Sequence, residues 1–188
     1  MSERVPFQAT RGAERYDALT QIPVSLLLDD VRSMYNVGAF FRTADAAAIE
    51  HIYLCGITPQ PTQPGVAKTA LGAEEAVPWS HVEQPLELLS ELRAKGHELV
   101  ALETNAHAVD LFDWKPQFPV CVLFGNEVDG LKAELLSACD VCVRIPMLGL
   151  KHSLNVATAG GVVMYEMLRK YRNLVESASG RTMYETSE

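Results

Sequence analysis

The sequence predicts an α/β fold in which helices cover both faces of a mostly parallel β-sheet. Two observations support this prediction. Short apolar segments typical of strands alternate along the chain with segments of helical character, which is the pattern of parallel α/β folds. Most of the strand segments, such as VSLLL at 24–28, are apolar throughout, as expected when both faces of a sheet are buried. The chain of 188 residues is long enough for one domain with a sizeable core.

The elements are expected in a regular order along the chain. Proline is favoured at the first position of a helix and glycine just after its end, so Pro85 and Gly96 bound one predicted helix. We divide the chain into an N-terminal extension (1–20), one domain (21–176) and a flexible tail (177–188). Strands are predicted at 24–28, 51–56, 77–82, 98–103, 119–125 and 141–146. Helices are predicted at about 39–48, 67–74, 85–95, 131–138 and 153–174.

The overall charge and hydropathy exclude several classes of protein. The formal net charge of −8 argues against a protein that coats nucleic acid through a basic surface, although it leaves room for local basic patches. No apolar run approaches the roughly 18 residues needed to span a bilayer. The first residues are polar and lack an apolar signal segment. We therefore expect a soluble, cytoplasmic protein without a membrane partner.

The cysteines and histidines do not form a recognisable metal or redox motif. Cys139 and Cys142 have CxxC spacing, but zinc needs two further ligands and no second pair follows. A redox CxxC opens a helix, whereas this pair is expected to close a helix and enter a strand. We interpret all four cysteines as buried structural thiols and predict no metal site. Among the histidines, only His152 lies in a loop of functional interest, as a candidate contact for RNA or substrate.

The first loop of interest has the sequence NVGAFFRTA. Asn36 and Gly38 are expected just before a helix, with Arg42 one turn inside it. Backbone N–H groups at a helix start favour an anion, and a guanidinium is suited to phosphate. The alternative is that Asn36 caps the helix and Arg42 reaches water past Phe40 and Phe41.

The second loop, FGNEVDGL, follows an apolar strand. Gly125 allows a close approach of backbone or ligand, and Gly130 permits a positive φ. Glu127 is an unusual residue at the mouth of a buried strand. The alternative is an ordinary turn in which Asn126, Glu127 and Asp129 are capping groups.

The third loop, IPMLGLKHSLNVATAGGVVMYE, leads into the last helix. Ser153 is predicted to cap that helix, after Lys151 and His152. Gly160 and Gly161 lie inside the helix, where each costs about 1 kcal/mol relative to alanine. A helix tolerates this cost where a backbone or ligand passes close by, or where helices pack tightly.

Together and in this order, the three loops resemble the signature motifs of the SpoU/TrmH family, the RNA ribose 2′-O-methyltransferases of the SPOUT superfamily. The resemblance covers about residues 24–170. It implies a deep trefoil knot in the C-terminal part of the sheet, with S-adenosylmethionine bound in a bent conformation within the knot. It also implies an obligate homodimer with the active site at the interface. The expected reaction is S-adenosylmethionine-dependent methylation of a ribose 2′-hydroxyl in tRNA or rRNA.

The resemblance also implies roles for individual residues. The expected catalytic residues are Arg42, Asn36, Glu127, Ser153 and Asn155. The expected cofactor contacts are Leu102, Glu103, Gly125, Ile145 and Leu154. The resemblance also places Arg42 and Ser153 at the RNA. Local basic charge, rather than the resemblance, adds Arg11, Arg15, Lys68 and Lys151 as expected RNA contacts, with Arg4 and the basic segment 169–172 as further candidates.

The chemistry constrains the role of Arg42. A guanidinium has a pKa above about 12 and donates hydrogen bonds rather than accepting protons. We therefore expect Arg42 to stabilise the developing alkoxide, while an RNA phosphate or water takes the proton. Asn36 is expected to hold Arg42 or the substrate, and Ser153 to bind phosphate beside Arg42.

Two other functions remain open at this point. One is a catalytically silent RNA-binding or assembly dimer, and the other is an α/β enzyme for a nucleotide or phosphosugar. Many members of the family carry an added N-terminal RNA-binding domain, which is not expected in this sequence. RNA capture is then expected to depend on local basic patches or on an accessory protein.

Overall fold

The computed structural model describes residues 21–179, and within them one seven-stranded parallel sheet forms the centre of the fold. The strands are β1 (Ile22–Asp29), β2 (Ile49–Cys55), β3 (Trp79–Val82), β4 (Glu98–Leu102), β5 (Val109–Asp110), β6 (Val120–Phe124) and β7 (Val141–Arg144). Their order across the sheet is β3-β2-β1-β6-β4-β7-β5. The helices are α1 (Met34–Ala46), α2 (Pro64–Ala70), α3 (Ala73–Ala76), α4 (Pro85–Ala94), α5 (Ala133–Ser137) and α6 (Val156–Ser179).

Helices cover both faces of the sheet, so the predicted fold class is confirmed. On one face, Leu26 and Leu28 of β1 belong to a core that includes residues of α1 and α6. On the other face, Leu27 of β1 packs in a second core with Leu89 of α4 and Leu135 of α5. Because successive strand residues point to opposite faces, a strand between two covered faces must be apolar at nearly every position.

Several element boundaries differ from the prediction for local reasons. The helix predicted at 67–74 is two helices, because Leu71 and Gly72 adopt positive φ values of 57° and 93° between them. Strand β5 was not predicted, since it has only two residues. Helix α1 begins at Met34 rather than near residue 39, and its N-cap is Ser33, whose Oγ accepts the backbone N–H of Asn36 at 3.3 Å. The alternative in which Asn36 caps this helix is therefore wrong.

The last helix begins later and ends later than predicted. It runs from Val156 to Ser179. The side-chain oxygen of Asn155 accepts the backbone N–H groups of Ala157 and Thr158, at 3.0 and 3.2 Å. Asn155, and not the predicted Ser153, therefore caps this helix.

The four cysteines carry free thiols. Cys55 and Cys121 are buried, and burial raises the pKa of each thiol to about 12. Cys139 and Cys142 are half-buried, and burial raises the pKa of Cys139 to about 12 as well. Helix α5 ends before Cys139, and Cys142 lies in β7, as expected from the sequence. Residues 21–179 contain no cluster of His, Cys, Asp and Glu side chains arranged to hold a metal ion.

Between residues 21 and 179, no helix is both long enough and apolar enough to cross a bilayer.

Gly160 allows helices α1 and α6 to pack closely. A Cβ at Gly160 would lie 2.3 Å from Cε1 of Phe40, which is fully buried. Phe40 is held on another side by an edge contact with Phe124, with ring centroids 5.0 Å apart. At Gly161, an added Cβ would meet only Cγ2 of Thr43, at an ordinary 4.0 Å. Tight helix packing therefore explains the glycine at position 160 but not the one at position 161.

Gly160→Ala is expected to lower the free energy of unfolding by about 1–2 kcal/mol, because overpacking against Phe40 outweighs the helix propensity gained by alanine. Gly161→Ala is the matched control, and it should leave stability unchanged or raise it by up to about 1 kcal/mol. Urea unfolding of both variants measures the difference. Equal effects at the two positions would contradict the packing role of Gly160.

Candidate active site

A cavity of about 530 Å³ opens at the carboxyl ends of β4, β6 and β7. Its wall is formed by four stretches of chain: 102–104, 124–130, 144–147 and 152–159. Parallel sheets commonly bind ligands at this edge, and the volume is in the range of small-molecule sites. The second and third loops of interest both contribute to this wall. Asn36 of the first loop precedes the last of these stretches by at least 116 residues in the sequence.

A chain of hydrogen bonds joins all three loops at this cavity. Asn36 Nδ2 donates to Oε1 of Glu127 at 2.8 Å, and Asn155 Nδ2 donates to Oδ1 of Asn36 at 3.1 Å. Asn36 is buried in the first turn of α1, with 6% of its surface exposed. The buried amide of Asn36 therefore links Glu127 and Asn155, which both line the cavity.

Glu127 lies at the N-terminal end of α1. Its Oε2 accepts the backbone N–H of Arg32 at 3.4 Å. Burial opposes ionisation, but hydrogen bonds from the Asn36 side chain and from the backbone of Glu127, Arg32 and Ser33 outweigh it and lower the pKa of Glu127. Glu127 is therefore ionised at neutral pH and accepts hydrogen bonds. The anion expected at this helix start is thus a carboxylate of the protein itself.

Asn126 shapes the loop that carries Glu127. Its backbone N–H and C=O pair with those of Gly130, at 3.1 and 3.0 Å. Its side-chain oxygen accepts the N–H groups of Val128 and Asp129, and its Nδ2 donates to the carbonyl of Asp30 at 2.9 Å. The capping role considered in the sequence therefore holds for Asn126. Its further bond to the end of β1 was not predicted.

Two glycines allow this loop to close. A Cβ at Gly125 would lie 2.2 Å from the carbonyl carbon of Gly130 and from the backbone nitrogen of Leu131. Gly130 itself has a φ of 71°, which the sequence analysis anticipated. The loop therefore folds back onto its own start, and only glycine fits at position 125.

The sequence of the chain is similar to those of known proteins. A family model described as the SpoU rRNA Methylase family matches residues 23–165. The chain belongs to this family. It is 34% identical over 161 residues to the 23S rRNA (guanosine-2′-O-)-methyltransferase RlmB of Ralstonia nicotianae, covering 84% of this chain and 63% of the relative.

Solved structures of SpoU proteins share the fold. An AdoMet-bound rRNA methyltransferase from Sinorhizobium meliloti aligns with a TM-score of 0.73 and 33% identity, covering 82% of this chain and 59% of that chain. A TrmH/SpoU tRNA modifying enzyme from A. aeolicus aligns with a TM-score of 0.77 and 25% identity, covering 93% and 89%. The chain spans about three fifths of the length of the curated relatives that it matches.

Most residues that the SpoU resemblance singled out lie at the cavity. The five expected cofactor contacts all line it: Leu102, Glu103, Gly125, Ile145 and Leu154. Three of the expected catalytic residues line it as well: Glu127, Ser153 and Asn155. His152 also lies on the wall. Sequence reasoning missed Thr104, Arg144 and Met147 on the same wall. Arg144 ends β7, and the other two lie within three residues of the end of a strand, which was the available signal.

Arg42 does not lie at the cavity of its own chain. It follows Asn36 by six residues, which places the two side chains about 120° apart around α1. Arg42 is exposed, and within residues 21–179 it makes no hydrogen bond or ion pair. The expectation that Asn36 holds Arg42 is therefore wrong within one chain, because the amide of Asn36 is bonded to Glu127 and Asn155.

The expected RNA contacts are scattered. Lys68 on α2 and Lys151 before α6 are exposed, and neither lines the cavity. Arg4, Arg11 and Arg15 lie outside the described residues.

The basic segment 169–172 is not an open basic patch. Arg169 donates twice to the carboxylate of Glu166, at 2.8 and 2.6 Å. Lys170 is partly buried and donates to the backbone carbonyls of Leu111 and Trp114. Arg172 forms an ion pair with Glu176 at 3.5 Å. These acidic partners and carbonyls compete with RNA phosphate, and RNA binding by this segment stays a prediction.

An ion-pair cluster anchors the far end of the Glu127 loop. Lys132 Nζ lies 3.1 Å from Oδ1 of Asp29 and 2.8 Å from Oδ2 of Asp30, at the end of β1. Asp29 is 1% exposed, and its Oδ2 has no hydrogen-bond partner among the described residues. Burial raises the pKa of Asp29, whereas the bond to Lys132 lowers the pKa of Asp30. The lysine therefore compensates a buried carboxylate that the fold would otherwise disfavour.

Lys132→Met is expected to lower the free energy of unfolding by about 1–3 kcal/mol at neutral pH, less than for a fully buried pair because Lys132 is 45% exposed. Without the lysine, the pKa of Asp29 rises further above its unfolded value, so the variant loses stability as pH rises above about 4. Asp30 also loses the bond that lowers its pKa, and with it a stabilisation present at higher pH.

Urea unfolding at about pH 5 and about pH 7.5 should show the larger loss at the higher pH. Lys68→Met, at an exposed lysine of α2, is the control and should change little. An equal loss for Lys132→Met at both pH values would argue against the pairing.

Proposed function

We propose that the chain is an S-adenosylmethionine-dependent methyltransferase that acts on a ribose 2′-hydroxyl in tRNA or rRNA. The observation that carries this proposal is the Asn36–Glu127–Asn155 network on the wall of a cavity at the carboxyl edge of the sheet. Support comes from the relative named as a 23S rRNA guanosine-2′-O-methyltransferase, and from two structural neighbours, one named as an AdoMet-bound rRNA methyltransferase and the other as a tRNA modifying enzyme.

The lining of the cavity fits S-adenosylmethionine. Leu102, Ile145 and Leu154 supply apolar surface suited to an adenosine moiety, and Gly125 leaves backbone groups accessible beside them. The ionised Glu127 gives the wall a negative charge near which a cation is favourable. When bound, S-adenosylmethionine supplies an electrophilic methyl group on a sulfonium.

The remaining steps belong to the residues of the protein. Glu127 fixes Asn36, which in turn fixes Asn155 at the cavity mouth, so these polar groups are preorganised to orient a ribose hydroxyl. Ser153 lines the same wall and binds an RNA phosphate in this proposal. Arg42 donates to the developing alkoxide, and an RNA phosphate or water accepts the proton.

We propose a homodimer in which Arg42 serves the cavity of the partner subunit. This proposal is supported by the outward position of Arg42, which has no partner within residues 21–179. It is also supported by large apolar side chains left exposed on and beside α6, namely Leu154, Tyr165 and Leu174. The RNA is then held by Arg42, Lys68, Lys151 and Ser153, by Arg11 and Arg15 outside the described residues, or by an accessory protein.

We also propose that the C-terminal part of the chain forms the deep trefoil knot of the SPOUT fold. Support comes from the close approach of Gly125 to the backbone of Gly130 and Leu131, and from the convergence of the segments 124–130 and 144–159 on one cavity. Knots are rare, so a shared knot would be a specific property of the family.

The test is methyl transfer from labelled S-adenosylmethionine to total RNA from cells that lack the protein. Nucleoside mass spectrometry then identifies the product, with Arg42→Ala as the control. A 2′-O-methylated nucleoside that disappears with the variant is the expected result. Failure to bind S-adenosylmethionine and to transfer methyl would overturn the proposal in favour of a catalytically silent dimer.

A further inference from the structure

The carboxylate of Glu103 is bonded to the loop that carries Glu127. Glu103 directly follows β4, and its Oε1 accepts the backbone N–H of Leu131 at 2.8 Å. Its Oε2 accepts the backbone N–H of Thr104 at 3.3 Å. A Cβ at Gly130 would lie 2.3 Å from the same Oε1, so the carboxylate is packed directly against the loop. Since Leu131 is buried, its N–H requires an acceptor from the protein.

This contact is one end of a continuous path to the polar network. The backbone of Gly130 pairs with Asn126 across the loop, and Glu127 lies between them. Glu127 in turn bonds to Asn36, which bonds to Asn155. The other end of the loop is held by Asn126 and the end of β1. The position of Glu127 therefore depends on two supports, Glu103 and Asn126, and both of them line the cavity.

We propose that Glu103 is a positioning residue, whose carboxylate holds the 126–130 loop so that Glu127 meets Asn36. The inference rests on the proposed function, in which the network orients the ribose hydroxyl. It changes the role expected for Glu103, because the oxygen nearest the loop is already bonded to Leu131. The side chain therefore acts through the loop.

The test compares Glu103→Ala with Glu103→Gln. Glutamine retains an oxygen that can accept the N–H of Leu131, whereas alanine does not. Glu103→Ala is expected to lower kcat by about 10- to 100-fold with a change of less than about threefold in the Kd for S-adenosylmethionine. Glu103→Gln is expected to stay within about threefold of the wild type in both quantities.

A readout that does not depend on methyl transfer follows Glu127 directly. Carboxyl NMR of glutamate-labelled protein measures the pKa of Glu127, which is low in the wild type because of its hydrogen bonds. This pKa should rise toward its ordinary value in Glu103→Ala and stay low in Glu103→Gln. Glu98→Ala is the matched control, since Glu98 accepts the N–H of Gln117 at 2.7 Å at the opposite end of β4.

Each outcome distinguishes the inference from its alternatives. An unchanged Glu127 pKa in Glu103→Ala overturns it. Equal losses of S-adenosylmethionine affinity in both Glu103 variants also overturn it, because a charge contact with the cofactor would then explain the residue. The pKa measurement remains valid even if the wild-type protein transfers no methyl group, so it is separate from the test of the proposed function.

Discussion

Mixed dimers that pair an Arg42→Ala subunit with a Glu127→Ala subunit are expected to recover methyl transfer that each variant alone has lost. Each homodimeric variant should fall by about 100-fold, a typical loss for a preorganised group that stabilises the transition state. If Arg42 serves the partner's cavity, one site of the mixed dimer has both residues intact and the other has neither. Its specific activity should then be about half that of the wild type.

The experiment requires co-expression with two different tags, so that only mixed dimers are purified. No recovery would show that Arg42 and Glu127 act on the same chain's cavity, and it would contradict the shared site. Arg42→Lys adds a second comparison, because lysine has the charge without the planar fork of donors. Full activity of Arg42→Lys would contradict a role that depends on guanidinium geometry.

Gly125→Ala is expected to open the Glu127 loop and remove most of the affinity for S-adenosylmethionine. The added Cβ would lie 2.2 Å from backbone atoms of Gly130 and Leu131, and backbone cannot rotate away as a side chain can. Overpacking of this kind costs about 1–3 kcal/mol, which the loop can relieve only by giving up the Asn126–Gly130 pairing. We expect a loss of at least about tenfold in cofactor affinity, measured by calorimetry.

Gly149→Ala is the matched control for Gly125→Ala. Gly149 lies in the loop before α6, and an added Cβ there would meet nothing within 4 Å. Cofactor affinity and stability should therefore change little. A similar loss at both glycines would indicate that general loop flexibility matters, rather than the close approach at Gly125.

The fold class could be predicted because its cause is visible in the sequence. A strand such as β1 is apolar at nearly every position, and only a sheet covered on both faces requires this. Strand β5 could not be predicted, since two residues with Val109 40% exposed leave no apolar pattern. The extra turn of α1 was missed because Ser33 caps the helix ahead of Asn36.

The sequence predicted part of the cavity wall but not its hydrogen bonds. Glu103 and Glu127 follow parallel strands whose carboxyl ends meet at one edge of the sheet, which explains why both line the cavity. Nothing in the sequence indicated that Asn36 bonds to Glu127 instead of Arg42. With the helix predicted to begin near residue 39, Asn36 lay outside it and its direction relative to Arg42 was not fixed. Because α1 begins at Met34, both residues are helical and their side chains lie about 120° apart.

The Asn36–Glu127–Asn155 network also determines when the site can form during synthesis. Its two hydrogen bonds join residues 91 and 119 positions apart, so both are contacts of high sequence separation. Such contacts close large loops and form late in folding. Before Asn155 emerges from the ribosome, the nascent chain contains Asn36 and the first strands but lacks part of the network. This hydrogen-bond network therefore assembles only after nearly the whole domain has left the ribosome.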